Sequence, residues 1–112
     1  MTTSDKAAER HLLVTIRSQP EHRARVQELL LQLVDPVRSE PGCLYYNLFQ
    51  QAEDPDAFLI AAGWANDEAV AAHPTHPVHP HVPGVVEQVL PLLVSPNPME
   101  NLHTRRVSEN PV

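Results

Sequence analysis

Cys43-Leu44-Tyr45-Tyr46-Asn47-Leu48-Phe49, followed after the turn Ala52-Glu53-Asp54-Pro55-Asp56 by Ala57-Phe58-Leu59-Ile60-Ala61-Ala62-Gly63-Trp64, is the stretch that decides the fold. Two runs of strand-forming residues, bounded by Pro41-Gly42 and joined by an acidic, Pro-containing turn, read as a β-hairpin. Strict alternation puts Leu44, Tyr46 and Leu48 on one side of the first strand and Cys43, Tyr45 and Phe49 on the other. In the second strand no charged residue occurs between Ala57 and Ala65. Both faces of the hairpin therefore require cover. A chain this short has helices for one face only, so the other must meet a second sheet, a bound ligand, or both.

Outward from the hairpin, His11 to Arg17 alternates Leu12, Val14 and Ile16 and is expected to be a strand. Ser18, with Glu21 three residues on and Pro20 in the first turn, fits a capping box opening a helix. Val26, Leu29, Leu30, Leu33, Val34 and Val37 then recur at helical spacing, Pro36 should tighten the last turns, and Pro41-Gly42 ends the helix. Beyond the hairpin, Asn66 is a good N-cap for a short helix over Asp67 to Ala72. The run from His73 to Gly84 alternates His and Pro and cannot be continuous helix. Val85, Val86, Val89, Leu90 and Leu93 form the stripe of a second helical piece, kinked at Pro91, and Met99 to Val107 reads as a final strand at an edge of the sheet.

That order is strand, long helix, strand, strand, broken helix, strand: an α+β, ferredoxin-like split βαβ arrangement with a four-stranded antiparallel sheet and both helices on one face. Two such sheets stacked face to face, as a homodimer, would bury the other. Residues 1–10 read as a flexible leader, 11–107 as one domain, and 108–112 as a loose tail.

With 8 Lys plus Arg against 14 Asp plus Glu and a net charge of −6, the 112 residues carry no basic run longer than Arg105-Arg106, so nucleic acid is not an expected partner. The apolar runs are far too short for a helical membrane span and no signal peptide is readable, which makes the cytoplasm the default address. The single cysteine, Cys43, excludes an internal disulfide and reads as a small buried apolar residue. Proline, with 12 copies, most of them after Thr75, calls for long irregular connections in the second half.

Val26 to Leu33, Arg38-Ser39-Glu40-Pro41-Gly42-Cys43-Leu44 with Tyr46, Asp54-Pro55, Phe58 to Trp64, and Glu68-Ala69 leading to Ala72-His73 with Pro77 beyond together resemble the antibiotic biosynthesis monooxygenase family. The resemblance runs over roughly residues 11 to 107. It implies a dimeric α+β barrel and an oxidation by O2 of a phenol, quinol or polyketide anthrone without cofactor. It also implies neighbours that degrade haem, isomerise small molecules or have no shown activity, so a haem-binding or haem-degrading protein and a non-catalytic small-molecule-binding dimer stand as alternatives. The sequence departs from the family pattern at Ala62, where an acid usually stands two residues before the Trp, and in the His-Pro repeats after Ala72-His73.

An oxygenase without flavin or metal draws the electrons for O2 from its substrate. It needs a dry pocket, a base or acceptor for the substrate hydroxyl, and donors for the resulting anion. His73, at the end of a short helix, is the candidate base; its bland role is to favour the helix dipole. Trp64 resembles the family's tryptophan, with plain packing as its bland role. Asn47, polar within an apolar strand, is a candidate to orient a substrate oxygen, or else a cross-strand hydrogen-bonding residue. Tyr46, Phe49, Phe58 and Ile60 are candidates to contact the substrate. Successive members of His73, His76 and His79 lie about 9 Å apart in an extended Pro-rich chain, so two could share a metal but three could not without a bend, and no metal site is expected.

Overall fold

The computed structural model describes residues 8–73, 82–94, 99–105 and 107. The hairpin is present with its second strand at the bounds expected: β2 runs Cys43–Gln50 and β3 Ala57–Trp64. With β1 (Arg10–Arg17) and β4 (Met99–Thr104) they form one antiparallel sheet in the order β2-β3-β1-β4. Helices α1 (Arg23–Arg38), α2 (Asp67–Ala72) and α3 (Val82–Val89) complete the α+β, ferredoxin-like topology. β4 is an edge strand, as its polar sequence requires, but pairing stops at Thr104 rather than Val107.

The core lies between the sheet and the helices because α1 and α3 present apolar stripes to it. Val26, Leu29, Leu30, Leu33 and Val37 of α1 are buried, and Val85, Val89 and Leu93 close the same cluster. Each such side chain contributes about 1.5–3 kcal/mol by leaving water. Leu90, expected on that stripe, is instead exposed, because Pro91 turns the chain into a 3-10 segment over Leu90–Leu92 and changes the period. Pro36 is accommodated inside α1, which ends at Ser39, where one backbone N–H reaches the carbonyls of Asp35, Pro36 and Val37.

The capping box expected at Ser18 does not form. Ser18 is fully buried, bridges to Leu93, and donates its hydroxyl to the Gln19 carbonyl at 2.8 Å. A 3-10 turn over Pro20–His22 then leads into α1, so the helix starts one turn later than the capping pattern implies. At α2 the reading of Asn66 holds: its side chain accepts the Ala69 N–H at 2.8 Å.

The register sorts the hairpin residues differently from simple alternation. A β-bulge between Cys43 and Tyr45 makes Cys43 the partner of Trp64 and Tyr45 the partner of Gly63. Leu44 becomes the extra, exposed residue, and Cys43 packs against the helix-side core with Tyr46 and Leu48. Phe58, Ile60, Ala62 and Trp64 share that face with Leu12, Val14 and Ile16. The opposite face carries Leu13, Phe49, Leu59, Ala61 and Leu102 among more polar residues, and Leu13, Phe49 and Leu102 are exposed. Its apolar character is the feature the hairpin sequence announced.

Candidate functional site

His73 is the C-cap of α2, and its N–H reaches back to the Val70 carbonyl. The helix places the imidazole over the end of β3, where its ring centre lies 5.0 Å from that of Trp64, tilted by 46°. Trp64 is buried, whereas the His73 side chain keeps one-third of its surface in solvent. The second partner of the ring is Glu40: its Oε1 lies 2.7 Å from Nδ1. The Glu40 side chain is 2% exposed, so a carboxylate is held almost wholly out of water against a half-buried histidine.

Two further groups face this carboxylate from β2. Burial, then the Glu40 charge, push the Tyr46 phenol up to about 12, with Cys43 adding to the effect. Burial and the Glu40 charge likewise push the Cys43 thiol up, opposed by the Arg38 charge and by a hydrogen bond with the Tyr45 backbone. Both groups stay protonated at neutral pH. Arg38 comes from the last turn of α1 and caps the open edge of β2, donating to the Tyr46 carbonyl and to Oδ1 of Asn47, each at 3.0 Å.

The sheet divides the residues singled out in the sequence. His73, Trp64, Tyr46, Phe58 and Ile60 lie on the helix side, and Phe58 and Ile60 are fully packed in the core. Asn47 and Phe49 pair with Ala61 and Leu59 and fall on the other face. Strand periodicity after the bulge is the reason: Tyr46 and Leu48 point to the helices, so their neighbours cannot. Asn47 is thus parted from His73 by the sheet and is engaged by Arg38 at the strand edge. Ala62 is buried in register with Tyr46 and Leu12 on the helix side. The sequence reading missed Glu40. Its one local signal is an acid placed just beyond the C-terminus of α1, where the helix dipole disfavours negative charge.

The opposite face holds two features of its own. An open-mouthed cavity of about 770 Å³ is lined by Thr15, Arg17, Phe49, Ala57, Leu59 and Glu100, among others. Its Arg17 is paired with Asp54 at 2.7 Å, and among the described residues none lining it is a histidine, cysteine or tyrosine. Nearer the start of β1, His11 bridges the Tyr45 hydroxyl at 2.8 Å and Glu9 Oε1 at 2.9 Å. Titratable side chains thus gather in two places, His73 with Glu40 beside Trp64 on the helix side and His11 with Tyr45 and Glu9 on this face. His76 and His79 lie outside the described residues. Among the described residues no three His, Cys, Asp or Glu side chains gather as metal ligands would, and no helix is long and apolar enough to cross a membrane.

The ferredoxin-like α+β fold of this chain is shared by many solved structures. A Mycobacterium tuberculosis protein, Rv0793, superposes with a TM-score of 0.79 over 91% of this chain and 98% of its own, at 22% identity. A candidate antibiotic biosynthesis monooxygenase from Chloroflexus aurantiacus gives 0.72 over 92% and 97%, at 26% identity. A curated relative, an uncharacterized protein of Synechocystis sp., is 29% identical over 58 residues, 52% of this chain; the match covers 40% of that relative's length, so the chain spans less than half of it. The profile of the antibiotic biosynthesis monooxygenase family matches residues 10–82. The chain belongs to that family, which is named for monooxygenase and hence oxidoreductase chemistry.

Proposed function

We propose that this chain is a monooxygenase that oxidises a small quinol, phenol or polyketide-type aromatic with O2, drawing the electrons from the substrate, and that it works as a homodimer. The observation that supports it best is His73: a half-buried imidazole set against the buried indole of Trp64, on the side of the sheet where apolar groups exclude water.

An electron-rich hydroxyarene is a poor reductant of O2 until it loses its hydroxyl proton. His73 takes that proton, and Trp64 supplies a flat wall for the ring. The anion passes one electron to O2, the radical pair combines to a peroxide, and the O–O bond breaks. For an anthrone-like substrate, the ring methylene plus one molecule of O2 becomes a ring carbonyl plus one molecule of water, which accounts for both oxygen atoms and both methylene hydrogens. The apolar second face, with Leu13, Phe49 and Leu102 exposed, supports pairing with a second copy.

The test is O2 uptake with a panel of quinols, naphthols and anthrones, measured against autoxidation in buffer, with metal and flavin assayed in the same protein. Uptake well above buffer that drops in His73→Ala and Trp64→Phe supports the reading, and a rate equal to buffer across the panel removes it. Sedimentation of the purified chain as a monomer at micromolar concentration removes the dimer. A second reading has an observation of its own, since a carboxylate on Nδ1 is also how proteins orient a histidine toward a metal. A Soret band on adding haem, lost in His73→Ala, would favour haem binding; ligand-dependent thermal stabilisation without turnover would favour a binding protein.

A further inference from the structure

We infer that Glu40 is the positioning residue of this site: its carboxylate accepts the Nδ1 proton of His73 and so selects the tautomer in which Nε2 receives the substrate proton. The inference rests on the reading of His73 as the base and adds to it a residue on which that base depends.

Both members of the pair are set by backbone and not by chance side-chain reach. Glu40 sits in the turn that follows α1, where its N–H bonds to the Val37 carbonyl at 3.0 Å and its own carbonyl takes the Cys43 N–H at 3.1 Å. The turn depends on Gly42, at φ +82°, which L side chains rarely adopt. It is also pressed onto α2: a Cβ on Gly42 would come within 2.6 Å of the Ala69 Cβ. The Ala65 N–H binds the Gly42 carbonyl at 2.8 Å, which ties the same turn to the end of β3. Glu40, Trp64 and His73 are thus carried by three segments locked to one another.

The cost of the arrangement argues for a purpose. A carboxylate at 2% side-chain exposure has lost its hydration, a loss smaller for a glutamine and absent for an apolar residue at this position. What a carboxylate does that these cannot is accept from Nδ1–H and balance the imidazolium that forms when Nε2 takes a proton. The neighbours fit that role. Cys43 and Tyr46 face the carboxylate in their protonated forms, and Arg38, the cation from α1, is engaged by the Tyr46 carbonyl and Asn47. After transfer the charges alternate, carboxylate, imidazolium, aryloxide, and the proton lost by the substrate oxygen resides on Nε2.

The experiment combines 15N NMR of histidine-labelled protein with the oxygen-uptake assay. In the wild-type protein the His73 signals, assigned by their loss in His73→Gln, are expected in the Nδ1–H form; in Glu40→Leu they are expected to shift to the Nε2–H form. Glu40→Gln keeps the shape and an acceptor oxygen but removes the charge, and guards against a variant that fails to fold. Its kcat is expected to fall ~100-fold with KM within about twofold. An Nε2–H tautomer in the wild-type protein, or full kcat in folded Glu40→Gln, overturns the inference. The tautomer is readable whether or not the wild type turns over any hydroxyarene, so this inference and the oxygenase reading fail separately.

Discussion

Tyr45 lies across Gly63 so closely that a Cβ at position 63 would overlap the tyrosine ring, and the phenol is held there by His11. The two are cross-strand partners just beyond the bulge in β2. A glycine in the middle of the sheet is normally a weakness; here it is the floor on which the ring rests. Gly63→Ala should force Tyr45 from its place, lower stability by about 1–3 kcal/mol in denaturant unfolding, and remove the Tyr45–His11 contact. A variant as stable as the parent would mean that the ring moves aside without cost.

Tyr46 gives the protein an alkaline limit. Its phenol titrates from 10.0 to about 12 on folding, through burial first and the Glu40 charge second. Between those values the unfolded chain has released a proton that the folded chain retains. Stability from this group is therefore complete below about pH 10 and is lost as pH rises towards 12, by about 3 kcal/mol in all. Equilibrium unfolding across that range should show the decline, and Tyr46→Phe should flatten it.

The thiol of Cys43 should be sluggish. Burial and the nearby Glu40 carboxylate both disfavour the thiolate, and the side chain packs against the core beside Trp64. Modification by a chromogenic disulfide reagent at pH 8 is expected to run at least ~10-fold slower in the folded protein than in denaturant. Equal rates would place the thiol in solvent.

Asn66 carries the start of the helix that delivers His73. Its side chain is the acceptor for the Ala69 N–H, so Asn66→Ala should lower stability by about 1 kcal/mol, whereas Asn66→Asp should be close to neutral. Chemical denaturation of the two variants side by side separates the loss of the cap from a mere change of side chain.

Much of the architecture was legible from residues alone. β3 was bounded correctly by Asp56 before it and by the polar Asn66-Asp67 after it, and the apolar stripe of α1 was read correctly although the helix begins a turn later than its expected cap. Local signals erred where a long-range partner overrode them. Ser18 reads as a cap, yet its N–H is taken by the Asp56 carbonyl and the residue is drawn into a bridge with Leu93. The bulge at Cys43 leaves no mark in the hydrophobic pattern, since Cys43, Leu44 and Tyr45 are all suited to either face.

The site was half visible. Trp64 and His73 stand nine positions apart around a capped helix, and that proximity follows from chain length. Glu40 lies 33 residues from His73, in a Glu-Pro-Gly sequence that reads simply as a helix stop.

By itself the sequence determined the order of elements, the strand and helix periods and a sheet apolar on both faces, because these depend on neighbours a few residues away. Which hairpin residues share a face with His73, and which acid holds its ring, only the tertiary structure decided. A one-residue bulge inverts the facing of every residue before it, and a buried carboxylate finds its partner through packing of separate segments, which no local pattern encodes.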